Sequence, residues 1–179
     1  MKEVTALVLT VSDRAAAGVR EDRAGPVAVR ALEDLGIRVA GRSVVPDDRE
    51  EISRQLREAA AAGVDLVITT GGTGLGPRDV TPEATKAVIQ REAPGIAEAL
   101  RSGCAAGNPR AWLSRGVCGI LDRTLIINLP GSPRAVAECM AILSGLLGHA
   151  VEVMRGEVRD CAHLPPSPEQ EGAEGRENA

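Results

Sequence analysis

Three observations predict an α/β fold: short apolar strands alternate with amphipathic helices, a glycine-rich loop leaves one strand directly, and two further strands are separated by only two polar residues. A largely parallel sheet covered on both faces, with a local antiparallel hairpin, accommodates all three. The 179 residues suit one domain with an ordinary core. That domain is expected over residues 1–163, followed by a Pro-rich, then Glu- and Gly-rich tail over 164–179 that has little to bury and is expected to be disordered.

Residues 4–11 form a β-branched and aliphatic run that ends in Ser12-Asp13-Arg14. The spacing of Val27, Leu32 and Leu35 then predicts a helix over 23–35. A second strand over 38–45 closes on Pro46-Asp47-Asp48, and 48–62 is an amphipathic helix with Asp48 as its cap. The strand at 66–70 runs straight into the loop carrying Gly71, Gly72, Gly74 and Gly76, and the next helix opens near Thr81 and is expected to reach residue 92. A short helix over 95–101 and a polar loop to residue 110 precede the hairpin strands 117–121 and 124–129. Ser132 as cap and Pro133 as first residue open a long helix expected to run to residue 149.

Composition excludes several classes of function. The net charge of −4 is concentrated in the tail, leaving a body close to neutral, so no broad basic surface for nucleic acid is present. Trp112 is the one aromatic residue, which removes the stacking side chains that single-strand binders use. No apolar run approaches 18 residues, so a membrane span is not expected and the expected home is the cytoplasm. Cys104, Cys118, Cys139 and Cys161 have no metal-like or redox-pair spacing, and His149 and His163 stand apart from any ligand pattern.

In a parallel sheet, ligands collect outside the carboxyl ends of the strands. Those ends carry Ser12, Asp13 and Arg14, then Asp47, then residues 71–79, then Asn128 to Ser132. The glycine loop places many amides beside a helix start, the physical recipe for holding phosphate, although its Gly71-x4-Gly76 spacing is followed by Pro77-Arg78 and is not a Walker A loop. Asp47 and Asp79 offer hard oxygen donors suited to Mg²⁺ carried by a nucleotide, yet each also reads as an ordinary cap or turn residue. Arg14, Arg78 and Arg115 are the candidate counter-charges for phosphate, or plain solvated surface. Asn128 at the end of an apolar strand needs buried partners or a polar ring to read.

Taken together, V-S-D-R (11–14), V-P-D-D (45–48), T-T-G-G-T-G-L-G-P-R-D-V-T-P-E-A-T (69–85), L-S-R-G-V-C-G-I (113–120) and L-I-I-N-L-P-G-S-P (125–133) resemble the molybdopterin adenylyltransferase family, the Mog and gephyrin G-domain group. The resemblance implies a three-layer α/β/α sandwich, assembled as a homotrimer or hexamer. It also implies Mg²⁺-dependent adenylylation of molybdopterin by ATP, with pyrophosphate released and the product passed to a molybdenum-insertion protein. By motif, Asp47 and Asp79 are the catalytic and Mg²⁺-binding pair, and Gly71, Gly72, Thr73 and Gly74 form the phosphate loop. Ser114, Asn128, Pro130, Gly131 and Ser132 match ligand-lining positions, with Ser12, Asp13, Arg14, Arg78 and Thr81 completing the ATP and molybdopterin set. The competing readings are a non-catalytic pterin-holding or scaffold module of the MoaB type, and an ATP-sensing domain with no need of pterin.

Overall fold

The computed structural model describes residues 3–157. The expected tail and domain boundary, Cys161 and His163 lie outside the described residues. The elements are β1 (Thr5–Val11), α1 (Asp13–Ala16), α2 (Ala24–Asp34), β2 (Arg38–Val45), α3 (Arg49–Ala61), β3 (Leu66–Thr70), α4 (Thr81–Lys86), β4 (Arg91–Glu92), α5 (Pro94–Ala105), a 3-10 helix (Pro109–Leu113), β5 (Cys118–Leu121), β6 (Thr124–Leu129), α6 (Pro133–Leu143) and α7 (Leu147–Arg155).

They form a six-stranded sheet in the order β2-β1-β3-β6-β5-β4. The first four strands are parallel, while β5 runs antiparallel to both β6 and β4. Pairing of Val11 with Val45, Thr10 with Thr70, and Thr70 with Leu129 brings four strand exits to one edge. The two-residue period of the strands divides the core between the faces. Ala6, Val8, Leu66, Ile68, Leu125 and Ile127 pack under α2, α5, α6 and α7. Leu9, Val11, Val67 and Ile126 pack under α3 and α4. Burial on both faces is why the centres of β3 and β6, residues 66–68 and 125–127, read as continuous apolar runs, and the result is the three-layer α/β/α sandwich.

Three elements differ from expectation. The helix opened by Thr81 ends at Lys86, because the following chain turns to pair with β5: Gln90 N donates to Ile120 O at 2.8 Å and Ala93 N to Cys118 O at 2.9 Å. Tertiary pairing there outweighs helical propensity. The short helix begun at Pro94 continues to Ala105 because Cys104 is buried with Leu100 and Ala97, and Pro109–Leu113 is a 3-10 helix capped by Asn108. The helix after Ser132 stops at Leu143, and α7 leaves at 60°. Ser144 and Gly145 break it, Ser144 Oγ donating to Ala141 O at 2.7 Å. Among the described residues no single helix is long and apolar enough to cross a membrane. The bent α6–α7 pair passes on length and composition, but its apolar positions Val136, Cys139, Met140, Leu143 and Leu147 are core residues.

Candidate functional site

The four aligned strand exits build the site. After β1, Ser12 caps α1 by accepting from Ala15 N at 3.3 Å. Asp13 and Asp47 hold each other: Asp13 N donates to Asp47 Oδ2 at 2.8 Å and Asp47 N to Asp13 Oδ1 at 2.9 Å. Arg78 forks onto Asp13 through Nε at 3.0 Å and Nη2 at 2.9 Å. The exits of β1 and β2 and the glycine loop are thereby tied into one frame.

Gly71 is the hinge of that frame. Its φ of +98° suits glycine, and a Cβ there would overlap the Val11 carbonyl oxygen. Gly72 follows at φ +63°, where a Cβ would meet Thr81 Oγ1 and lie 3.1 Å from Asp47 Oδ1. The missing side chains let the loop fold over Asp47. Asp79 closes the loop, its Oδ2 accepting from Gly76 N at 2.7 Å. Among the described residues the amides of Gly72, Thr73 and Gly74 donate to no group of the chain, so three donors stand together beside the start of α4.

The arginines differ from expectation. Arg115 braces the loop from behind: its N donates to Thr73 O at 2.9 Å, its Nε to Gly74 O at 2.6 Å, and its other guanidinium nitrogens engage Asp79 O and Glu83. Arg78 is spent on Asp13, Arg14 is exposed, and neither lines a cleft. Thr81 is likewise no direct contact, for it is fully buried and donates to Gly71 O at 2.9 Å. Arg115 and Thr81 thus hold the glycine loop in shape, and Arg78 ties it to Asp13.

Two clefts meet at this frame. One, of about 420 Å³, lies between α5, α6 and the 3-10 helix and has mostly apolar walls, among them Ala97, Leu100, Leu113 and Ala135. Thr73, Gly74, Ser114, Asn128, Pro130 and Ser132 also line it. The other, of about 240 Å³, is polar and runs from Ser12 past Arg20, Asp22 and Asp47. Gly71, Gly72, Asp79 and Gly131 line both, so the clefts share a seam at the glycine loop.

Asn128 reaches the first cleft only at its edge. It is 4% exposed, its amide donates to Thr69 Oγ1 and Thr85 Oγ1 at 3.0 Å each, and its carbonyl accepts from Val117 N at 3.2 Å. Its partners are therefore protein groups, and its placement orders the seam between β3 and β6. Ser132 Oγ caps α6 through Ala135 N at 3.1 Å.

Burial pushes the Asp47 carboxyl above its ordinary range, and the charges of Asp13 and Asp79 add to this against the Asp13 amide and Arg78. The hydrogen bond from Arg78 holds Asp13 below that range. Asp13, Asp47 and Asp79 thus gather at the seam, with Arg78 engaged by Asp13.

Several lining residues gave no signal in the sequence. Arg101 and Arg110 enter the first cleft from α5 and the 3-10 helix, elements whose extents differ from those the sequence pattern predicts. Asp22 lines the second, accepting from Ala24 N at 3.1 Å, Gly25 N at 2.9 Å and Thr10 Oγ1 at 2.8 Å. An acidic residue just before a helix start was the available clue.

Residues 7–149 match a family described as a probable molybdopterin binding domain. The chain is 40% identical over 152 residues to a molybdopterin adenylyltransferase of Helicobacter pylori, covering 83% of this chain and 86% of that one. It is 42% identical over 153 residues to a molybdenum cofactor biosynthesis bifunctional protein of Synechococcus elongatus, covering 86% of this chain but 48% of the relative. The chain thus spans about half the length of that relative, and about a quarter of the Drosophila and Dictyostelium relatives it matches. The crystal structure of the molybdopterin biosynthesis enzyme MoaB of Thermus thermophilus superposes with a TM-score of 0.81 at 42% identity, over 86% of this chain and 97% of that one.

Proposed function

This chain belongs to the molybdopterin-binding domain family, and from that membership we propose that it is a molybdopterin adenylyltransferase, joining the AMP moiety of ATP to the terminal phosphate of molybdopterin. The observation that carries the reading is the shared seam: an apolar cleft and a polar cleft converge on Gly71, Gly72, Gly131 and Asp79. A fused-ring pterin suits the first and a nucleotide triphosphate the second, so their phosphates meet beneath the free amides of Gly72, Thr73 and Gly74.

In this reaction an oxygen of the molybdopterin phosphate forms a bond to the α-phosphorus of ATP while the bond from that phosphorus to the bridging oxygen breaks, and pyrophosphate leaves. Two anionic groups must be held in line, so positioning and charge neutralisation carry most of the rate enhancement. The loop amides stabilise the crowded oxygens, and the Asp13, Asp47 and Arg78 frame fixes where those amides point. The residues fit a magnesium ion. Asp47 Oδ1 and Asp79 Oδ1 have no hydrogen-bond partner among the described residues, and burial, with the charges of Asp13 and Asp79 beside it, disfavours the bare Asp47 carboxylate, which a bound cation would relieve. Two carboxylates, with no group of three ligating side chains among the described residues, suit an ion that fills its shell with phosphate oxygens and water. When bound there, it would neutralise triphosphate charge and stabilise the departing pyrophosphate.

Two carboxylates directed at the seam favour transfer over mere holding of the pterin, since a carrier would gain nothing from concentrating negative charge beside a phosphate. On the same reading the chain works in the cytoplasm as a homotrimer and hands its product to a molybdenum-insertion protein. The test is pyrophosphate release and formation of adenylylated molybdopterin from Mg-ATP, with and without molybdopterin. Product that requires molybdopterin is expected. Tight pterin binding without product would make the protein a carrier instead.

A further inference from the structure

The apolar cleft holds a second carboxylate that the transfer chemistry does not use. Glu138 lies on α6 six residues beyond Ser132, about 9 Å along the helix from the seam by the helical rise. Its Oε1 accepts from Arg134 Nε at 2.8 Å on the solvent side, where Arg134 is 83% exposed. Oε2 has no hydrogen-bond partner among the described residues. The neighbouring Cys139 closes the cleft floor against Cys104, Sγ to Sγ at 3.5 Å. Glu138 thus adds an acceptor to a cleft whose walls are mostly apolar.

The plain alternative is an exposed pair four residues apart on a helix, contributing slightly to helix stability. That account explains Oε1 but gives no reason for the carboxylate to line a cleft. The ring expected there has a matching edge: the exocyclic amine of a pterin is a donor, and Oε2, which Arg134 leaves free, can accept from it. At the opposite wall, Arg101 Nη1 donates only to carbonyls, to Gly116 O at 2.9 Å and Ser114 O at 3.5 Å, so guanidinium donors are to hand for the carbonyl side of the same ring.

We propose that Glu138 is the residue that reads the amine-bearing edge of the pterin and so sets specificity for that ring; the inference rests on the apolar cleft being the pterin site. A lumazine carries a carbonyl oxygen where a pterin carries the exocyclic amine, and that oxygen would face Glu138 as a second acceptor. Rejection follows from an unpaired acceptor rather than from size.

The test uses the full chain and compares a hydroxymethylpterin with the corresponding lumazine as competitors of molybdopterin in the adenylylation assay. Wild type should prefer the pterin by on the order of tenfold. Glu138→Gln should abolish the preference and raise KM for molybdopterin about tenfold, leaving kcat and the KM for ATP within about twofold. Arg134→Ala should keep the preference, which separates ring reading from a helix-stabilising role. A Glu138→Gln enzyme that still prefers the pterin overturns the inference while leaving the adenylyltransferase intact. Absence of any molybdopterin-dependent product or pterin binding in wild type removes the reading of the site, and this inference with it.

Discussion

Asp47 and Asp79 look alike in the sequence, each an aspartate just before a helix, and the structure gives them different surroundings. Asp79 is fixed by one amide of its own loop, so Asp79→Asn keeps that bond and removes only charge. Its kcat should fall by on the order of a hundredfold or more with little change in melting temperature. Wild-type turnover in that variant would remove Asp79 from the reaction. Asp47 is held above its ordinary value of 3.8 by burial first, then by the charges of Asp13 and Asp79. The native state therefore binds this proton more tightly than the unfolded chain. Between 3.8 and the raised native value, this residue's contribution to stability declines as pH rises. On the proposed role activity needs the ionised form, so the acid limb of kcat/KM should lie above the range of an ordinary aspartate. Asp13→Asn removes one negative neighbour and frees Arg78, which should move the limb to lower pH; a limb that stays put or moves up contradicts this account. The strand-end position of both aspartates was legible from sequence. That Arg78 serves Asp13 was not, because the partners lie 65 residues apart.

At the scale of elements, the unit β3, glycine loop and α4 was legible because residues 66–68 are an aliphatic run and the glycines follow after two threonines. What sequence could not supply was the brace behind it. Arg115 binds the Thr73 and Gly74 carbonyls and the Asp79 carbonyl from 36 to 42 residues away. The early end of α4 has the same origin: residues 87–92 have acceptable helical character, and pairing of Arg91–Glu92 with the edge of β5 draws the chain out of the helix. Two variants separate loop shape from loop chemistry. Gly71→Ala forces a side chain into a left-handed backbone and against the Val11 carbonyl, so it should lose at least about 1–2 kcal/mol of stability. Arg115→Ala removes anchors to charged nitrogen that contribute about 1.5–3 kcal/mol each, non-additively. If both proposed ligands depend on the shared seam, the KM values for ATP and molybdopterin should rise together, on the order of tenfold. A rise in only one of them would show that the loop is not common to the two clefts.

For the whole molecule, the alternation of strands and helices fixed the class of fold, while the strand order and the closing contacts depend on residues far apart in the chain. The clearest closing contact sits at the sheet edge opposite the site. Arg155 at the end of α7 pairs with Asp65 at 2.8 Å, and the two side chains are 4% and 14% exposed. Asp65 also accepts from Thr5 N and Thr5 Oγ1 at 2.9 Å each, and Arg155 reaches Glu3 O at 2.9 Å. One carboxylate thus joins the starts of β1 and β3 to the last described helix. Burial acts to raise the Asp65 carboxyl, but the hydrogen bonds from Arg155 and Thr5 outweigh it and hold the group below its ordinary 3.8. The stabilisation it supplies is therefore present above that value and is lost as pH falls through the lower native one. Asp65→Asn removes the nearer charge partner of a buried guanidinium, leaving its longer contact with Glu157 at 3.8 Å, and should lower unfolding free energy by about 3 kcal/mol at neutral pH. Its kcat should be unchanged, since the site lies at the other end of the strands. Chemical denaturation from neutral to strongly acid pH checks both parts. The gap between wild type and variant should close as the acid limit is approached, because protonation does to Asp65 what the substitution has already done. A gap that stays constant would mean that the contact acts through shape, and that the charge of Asp65 does not hold α7 to the sheet.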